Sequence, residues 1–367
     1  VVERAGVLEG LFHSVELVMG KLPGSIAVAT LITGTLFATA TGIVGASVTL
    51  LGLLALPAMM QRRYNTSFAT GVIVAAGTLG ILIPPSVLLI LYGFVAGVSV
   101  PRLYAAAFIP GLLLAFMYLV YIMVRALRDP TIAPAKLDAP YIPRLQLIGM
   151  VGRGLVPILT LILFVLGAIF FGFATPSEGA ALGALGGFIL AAAHRRLNFQ
   201  MVKESVFLTV RAASMVGWLL VGSSIFAAVF ARLGSAGLLG DFLLSLGLSD
   251  LVFVILVQAI IFLLGWPLEW TEIVIIFLPL FLPVILLYEI NLVWFGVLSA
   301  VNMQTAFLSP PVAMSAYYLK NVAPKSVSLN TIFKGMYPFI GVQLIALVGL
   351  YAFPELALWL PRLVYGD

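Results

Sequence analysis

Cysteine is absent from this chain, and histidine occurs only twice, at His13 and His194. Without cysteine there is no disulfide and no thiolate ligand, and two imidazoles fall short of the usual zinc ligand set. Charge is scarce as well: Asp, Glu, Lys and Arg make up 9% of the residues, against roughly a quarter in soluble domains. No phosphate loop and no HExxH helix occurs, and no nucleophile has a base at useful spacing. The net charge of +5 does not indicate nucleic acid, because the basic residues sit in breaks between apolar runs, where they orient a chain in a membrane. What is abundant is apolar. Hydrophobic residues make up 62% and the mean hydropathy is +1.19. Apolar runs recur from end to end, each near the roughly 20 residues of a helical span rather than the shorter, alternating strands of a barrel. An all-α polytopic membrane protein is therefore expected. The start, VVERAG, has neither Met nor a leader pattern and reads as the ordered part of a longer subunit.

The apolar runs define segments. Residues 1–23, with Glu3, Arg4, His13, Glu16 and Lys21 among Leu, Val and Phe, predict an interfacial arm helix. Residues 24–60 are too long for one span and are broken by ATATGIVGAS (Ala38 to Ser47), which predicts a re-entrant hairpin. A span over 66–98 is broken by TLGILIPPS (Thr78 to Ser86), and a plain span follows at 103–124. Residues 125–153 form a linker that includes the Pro-rich DPTIAPAKLDAPYIP (Asp129 to Pro143). Residues 154–250 hold scaffold spans at about 155–173, 177–193 and 214–230, then a second arm from Gly234 to Asp250. A second hairpin at 251–288 is broken at GWPLEWTE (Gly265 to Glu272), and a broken span at 292–320 is interrupted by QTAFLSPP (Gln304 to Pro311). A plain span at 332–353 and a tail at 354–367 complete the chain.

This order repeats. Pro57 and Pro279 close the hairpins, Pro84-Pro85 matches Pro310-Pro311, and Thr78 and Thr305 stand shortly before the Pro pairs. Pro110 and Pro338 lie within the two plain spans. Internal duplication of this kind marks secondary transporters. With Arg62 and Arg63 cytoplasmic, counting crossings also places Arg125, Arg128, Lys136, Arg144, Arg195, Arg196, Lys203, Lys320 and Lys325 inside. Only Arg102, Arg232 and Arg362 fall outside, so the positive-inside rule holds. Five spans separate the hairpins, so they enter from opposite sides and the repeats are inverted.

Proline donates no backbone hydrogen bond and clashes with the preceding turn, so two in a row end a half-helix and free its carbonyls. At membrane depth such backbone survives only in protein or beside a cavity. Freed carbonyls suit a hard cation, and the N-terminus of the next half-helix suits an anion. Cation ligands are therefore expected from Thr41, Gly42, Ser47, Thr78, Gly80 and Leu82 in the first repeat, and from Glu269, Thr271, Gln304 and Thr305 in the second. Thr39, Gly45, Ser86, Asn302 and Ser309 are the expected substrate contacts. Rival roles stand beside these. Thr39, Thr41 and Ser47 equally suit helix packing, Asn302 and Gln304 equally suit helix bridging, and a tip carboxylate at Glu269 or Glu272 could simply be solvated. Glu178, in the first turn after Pro176, reads as a cap, and Trp266, Trp270, Trp294 and Trp359 as interface anchors.

The stretches GTLGILIPPS, LPAMMQRRYNTSFATG, TPSEGAALGA and VNMQTAFLSPPVA resemble the large membrane subunit of tripartite ATP-independent periplasmic (TRAP) transporters, over essentially the whole chain. The resemblance implies a sodium-coupled importer of the bacterial inner membrane with an elevator mechanism. It also implies two partners, a small four-helix membrane subunit and a periplasmic substrate-binding protein, and a carboxylate or sulfonate cargo. The family's SGSS-like first tip falls on Thr41 to Val44, which reads TGIV here, leaving sodium ligation there to backbone carbonyls, Thr41 and Ser47. ATGIVGAS is similar to a branch associated with 2-oxo acids and lactate. Three alternatives stand beside it: a stand-alone carboxylate–sodium symporter of the same architecture, an intramembrane enzyme using Glu269 and Glu272, and an inert scaffold subunit, which would not need two costly broken spans.

Overall fold

The computed structural model describes residues 7–19, 22–135, 144–234, 238, 242, 245–310 and 312–366. Among them every regular element is helical. α1 (Val7–Met19) precedes a hairpin of α2 (Ser25–Thr41) and α3 (Val44–Gln61). α4 (Thr66–Thr78) passes into a 3-10 turn (Leu79–Ile81), and α5 (Val87–Ala96) resumes beyond the prolines. α6 (Val100–Arg128), α7 (Arg144–Phe170), α8 (Pro176–Ala193) and α9 (Phe199–Arg232) follow. The second hairpin is α10 (Asp250–Leu264) and α11 (Trp270–Leu287), the latter wound as a π-helix over Ile273–Phe277. α12 (Leu292–Leu308) and α13 (Met314–Val322) form the second broken helix, followed by α14 (Leu329–Ala352) and α15 (Glu355–Tyr365).

Local chemistry sets the ends. Gly42, at φ 64°, takes the left-handed conformation that lets α2 stop and the chain reverse, with its N–H on the Ala38 carbonyl. Side chains of Asn65, Ser86, Ser249, Asn291 and Ser328 accept from backbone N–H groups in the first turns of α4, α5, α10, α12 and α14. Thr175 and Glu178 form a reciprocal capping box on α8, the role expected for that carboxylate. Thr175→Ala should cost about 1 kcal/mol, seen as a lower melting temperature, while substrate affinity in transport assays stays unchanged.

The hairpins have their bases at opposite ends of the molecule. At the base of the first, the Gly24 N–H bonds Ala133 O and the Asn65 N–H bonds Ile132 O, beside the basic end of α6. At the base of the second, the Tyr351 hydroxyl, near the far end of α14, donates to Leu251 O at 2.8 Å. That same end holds the Trp294 indole on Leu350 O at 3.0 Å and the Tyr92 hydroxyl on Leu292 O at 2.7 Å. With the arginine-rich end cytoplasmic, the first hairpin enters from inside and the second from outside. α14 packs along α4 through two glycines, so that a Cβ built on Gly335 would lie 1.9 Å from Ser67 O and one on Gly71 2.1 Å from Gly335 O.

Several boundaries differ from expectation. α9 begins at Phe199 rather than near 214 and runs for 34 residues, about 51 Å, well beyond the roughly 30 Å of hydrocarbon. Its first turns therefore lie in water, where Gln200 and Glu204 pair one turn apart at 2.5 Å. α7 starts at Arg144 instead of near 155. The expected tail is an amphipathic helix, α15, lying along α6. Trp294 is 6% exposed and bonded internally, so it joins helices instead of anchoring at an interface. The arm is helical as α1, with Leu11, Phe12 and Val15 buried against α2 and α7 and Glu16 paired to Arg62 at 2.5 Å. Glu3, Arg4, Lys21, Lys136, Pro311 and most of the second arm lie outside the described residues.

Candidate functional site

Each tip is shorter than the sequence break that announced it. α2 continues to Thr41 and α3 begins at Val44, so only Gly42 and Ile43 form the first tip. Thr41 and Ser47 flank it, 3.4 Å apart through their hydroxyls, each also donating to a carbonyl one turn back, Phe37 O at 3.0 Å and Ile43 O at 2.9 Å. The Thr39 hydroxyl is likewise turned onto Thr35 O at 2.6 Å, the geometry of a helix-packing threonine. The tip sits on the first break: a Cβ at Gly42 would lie 3.7 Å from Pro85 O, and one at Gly80 only 2.4 Å from Ala38 O. Leu82 is wholly buried in the irregular backbone that follows. No charged residue occurs in this tip or break.

The second pair is built alike. Gly265 abuts Ala306 in the last turn of α12, which brings the tip, residues 265–269, against the second break. Thr271 and Glu272 lie in the first turn of α11, joined by a hydrogen bond of 3.1 Å, and Glu269 precedes them. A cavity of about 210 Å³ opens between tip and break, with Glu269, Trp270, Met303, Phe307 and Val312 in its wall. The break itself starts only at Ser309, so Gln304 and Thr305 stand in the last turns of α12 rather than in irregular chain.

The two broken helices meet at the centre. The Gln304 amide donates from Nε2 to Thr78 Oγ1 at 3.2 Å, linking the helical turns that precede the two breaks. Both side chains are fully buried, and among the described residues Gln304 Oε1 has no hydrogen-bond partner. A buried carbonyl oxygen left unpaired is costly unless something electropositive meets it. Thr305 donates back to Asn302 O at 2.5 Å and Ser309 to Thr305 O at 2.8 Å. Asn302 bridges to α10, its amide on Gln258 O at 2.6 Å and Oε1 at 2.8 Å, while Gln258 donates to Ser299 at 2.9 Å. Gly45 lies against the Tyr318 ring of α13, 3.1 Å from where its Cβ would be.

Sequence reasoning missed Gln258, Ser299 and Ser315. Gln258 stands alone in the apolar run LVFVILVQAIIFLL, and an isolated amide in a span was a usable signal. Ser315 donates to Phe307 O, and Ser86 in the first break donates to Ile81 O. In each repeat a hydroxyl at the start of the second half-helix thus takes a carbonyl freed from the first. Ser86 is occupied by this bond and by capping the Leu89 N–H at 3.5 Å.

Two inverted repeats, each pairing a re-entrant hairpin with an interrupted helix, define a secondary transporter rather than an enzyme. The fold is shared with a solved structure, the YdaH transporter of Alcanivorax borkumensis, at a TM-score of 0.61 and 18% identity over 98% of this chain and 85% of that one. The family model of the tripartite ATP-independent periplasmic transporter, DctM component, matches residues 1–356, and the chain belongs to that family. It is 28% identical to the sialic acid TRAP transporter large permease SiaM of Vibrio cholerae, over 100% of this chain and 84% of that protein. It is 26% identical to the C4-dicarboxylate TRAP transporter large permease DctM of Pseudomonas aeruginosa, over 97% and 82%. The chain is thus a multi-pass transporter subunit of the bacterial inner membrane, and its tripartite family implies a periplasmic binding protein and a small membrane subunit as partners.

Proposed function

We propose that this subunit couples inward sodium movement to uptake of a small organic acid, with the hairpins and broken helices moving as one body in an elevator cycle. The observation that carries this reading is the buried contact between Gln304 and Thr78, where an amide oxygen is left free at the meeting point of two interrupted helices. One sodium would lie at the first tip and break, held by backbone carbonyls around Gly42, Gly80 and Leu82 with Thr41, Ser47 and Thr78. A second would use Gln304, Thr305, Thr271 and Glu269. At the first site the oxygens are all neutral, and such oxygens hold a hard cation without fixing it so strongly that it cannot leave.

Substrate attraction follows from the same geometry. The N-termini of α5 and α13 carry partial positive charge, and bound cations add to it, so a carboxylate is favoured between the breaks. Asn302, Ser309, Gly45, Thr39 and Ser86 are the nearest candidates to shape that pocket. Of these, Thr39, Ser86 and Ser309 act through their backbone, because their hydroxyls are held within their own segments. The relatives named for sialic acid and for C4-dicarboxylates both concern carboxylates, which supports that cargo class; a 2-oxo acid or lactate fits the ATGIVGAS wording. Coupling arises because a domain carrying uncompensated carbonyls and no ion crosses the membrane unfavourably.

The test is uptake of a labelled panel of 2-oxo acids, lactate and C4-dicarboxylates into proteoliposomes holding this chain with its small subunit. Uptake is expected only with both the binding protein and an inward sodium gradient. Uptake without binding protein would establish the stand-alone symporter instead.

A further inference from the structure

A second cavity, about 140 Å³ in volume, lies at the cytoplasmic end of the molecule where α4 begins, α6 ends and α14 begins. Its wall includes Asn65, Ser67, Tyr121, Arg125, Ile132 and Lys334, with no carboxylate among its lining residues. The two cations come from different helices, and among the described residues neither forms an ion pair. Asp129, one turn beyond Arg125, gives its carboxylate to the Thr131 N–H at 3.1 Å and hydroxyl at 2.5 Å, and acts on Arg125 through its field without an ion-pair contact. Asn65 gives its side-chain oxygen to the Phe68 N–H at 3.1 Å, which leaves its NH₂ group as a donor. Arg125, Lys334, Asn65 and the Ser67 hydroxyl therefore offer donors and positive charge to one space.

We propose that this cavity binds the phosphate of an anionic phospholipid headgroup from the inner leaflet. A basic pocket between helices on the cytoplasmic side has the electrostatics for such a headgroup, because two cations with no carboxylate in the cavity wall attract one phosphate. Depth favours a lipid over a free anion. Arg125 lies one turn from the end of α6 and Lys334 less than two turns from the start of α14, at headgroup level. Phe68, Tyr121, Ile132 and Pro338 supply an apolar wall that a free phosphate would not use but a glycerol backbone and acyl chain would. The headgroup would bridge α4, α6 and α14 beside the Gly71–Gly335 crossing.

Native mass spectrometry of the detergent-purified transporter, titrated with phosphatidylglycerol, phosphatidylcholine or inorganic phosphate, tests this. The wild type is expected to retain one phosphatidylglycerol per chain in preference to phosphatidylcholine, with excess phosphate failing to displace it. Arg125→Gln with Lys334→Gln should weaken retention about thirtyfold, two surface charges' effect, whereas Arg196→Gln should change nothing. If the double variant does not fold, Lys334→Gln alone should weaken retention about fivefold, and Arg125→Lys should retain the lipid. Equal retention in the neutralised variant, equal binding of phosphatidylcholine, or displacement by inorganic phosphate would overturn the proposal.

Discussion

Gly335→Ala is expected to abolish recovery of folded transporter. The added methyl would sit 1.9 Å from Ser67 O and 2.9 Å from the Gly71 nitrogen, both backbone atoms, so no side-chain rotation relieves the overlap. Only separation of α14 from α4 would, and that opens the glycine-lined seam by which the last span holds the first broken helix. The cost lies at the upper end of overpacking, about 3 kcal/mol, a large share of a membrane domain's margin. Gly71→Ala should behave alike, its methyl falling 2.1 Å from Gly335 O. Gly341→Ala on the same helix meets nothing within 4 Å and should leave yield unchanged or raise it. Size-exclusion profiles and melting curves of the three variants check this directly. A monodisperse Gly335→Ala protein melting with the wild type would mean that the helices cross elsewhere.

Thr78→Val carries the second large effect. Valine keeps the shape and removes the hydroxyl that accepts from Gln304 at 3.2 Å, so the amide loses its orientation at the meeting point of the broken helices. Under the proposed mechanism one sodium also loses an oxygen. Interactions with a charged group are worth about 1.5–3 kcal/mol, which predicts a roughly 10- to 100-fold rise in the sodium concentration that half-saturates uptake. Gln304→Leu should act in the same direction, because it removes the unpaired oxygen itself. Thr70→Val supplies the control: that hydroxyl is buried on the same helix but turned onto Thr66 O and Ser67 O, two turns from the break. Its sodium dependence should match the wild type.

Much of this architecture was legible in the sequence because its makers are local. Proline pairs and glycine-rich tips write interruptions directly into apolar runs, and Arg62, Arg125 and Arg195 mark the cytoplasmic side. The duplicated order of Pro57, Pro84-Pro85 and Thr78 with Pro279, Pro310-Pro311 and Thr305 gave the inversion by counting. What was not legible depends on distant pairing. Gln258 and Asn302 are 44 residues apart in the chain and meet only after α10 folds onto α12. Trp294 looked like an interface anchor because its composition context is that of a span end, yet its indole finds a carbonyl on α14. The early start of α9 was hidden because Lys203, Glu204 and Arg211 interrupt the apolar pattern ahead of the span expected near 214, whereas a helix leaving the bilayer tolerates them. Tips were overestimated for a related reason: Thr and Ser at Thr39, Thr41 and Ser47 return their hydroxyls to the preceding turn and let the helix continue.

The central claim is that sodium is bound where the broken helices meet. Its most direct measurement is a sodium titration of substrate uptake, wild type beside Thr78→Val, in proteoliposomes with choline as the replacing cation and the binding protein saturating. Two cooperating sites predict a sigmoidal wild-type curve that falls to baseline in choline, displaced to higher sodium in the variant. Uptake that persists in choline, or superimposable curves for the two proteins, would contradict it.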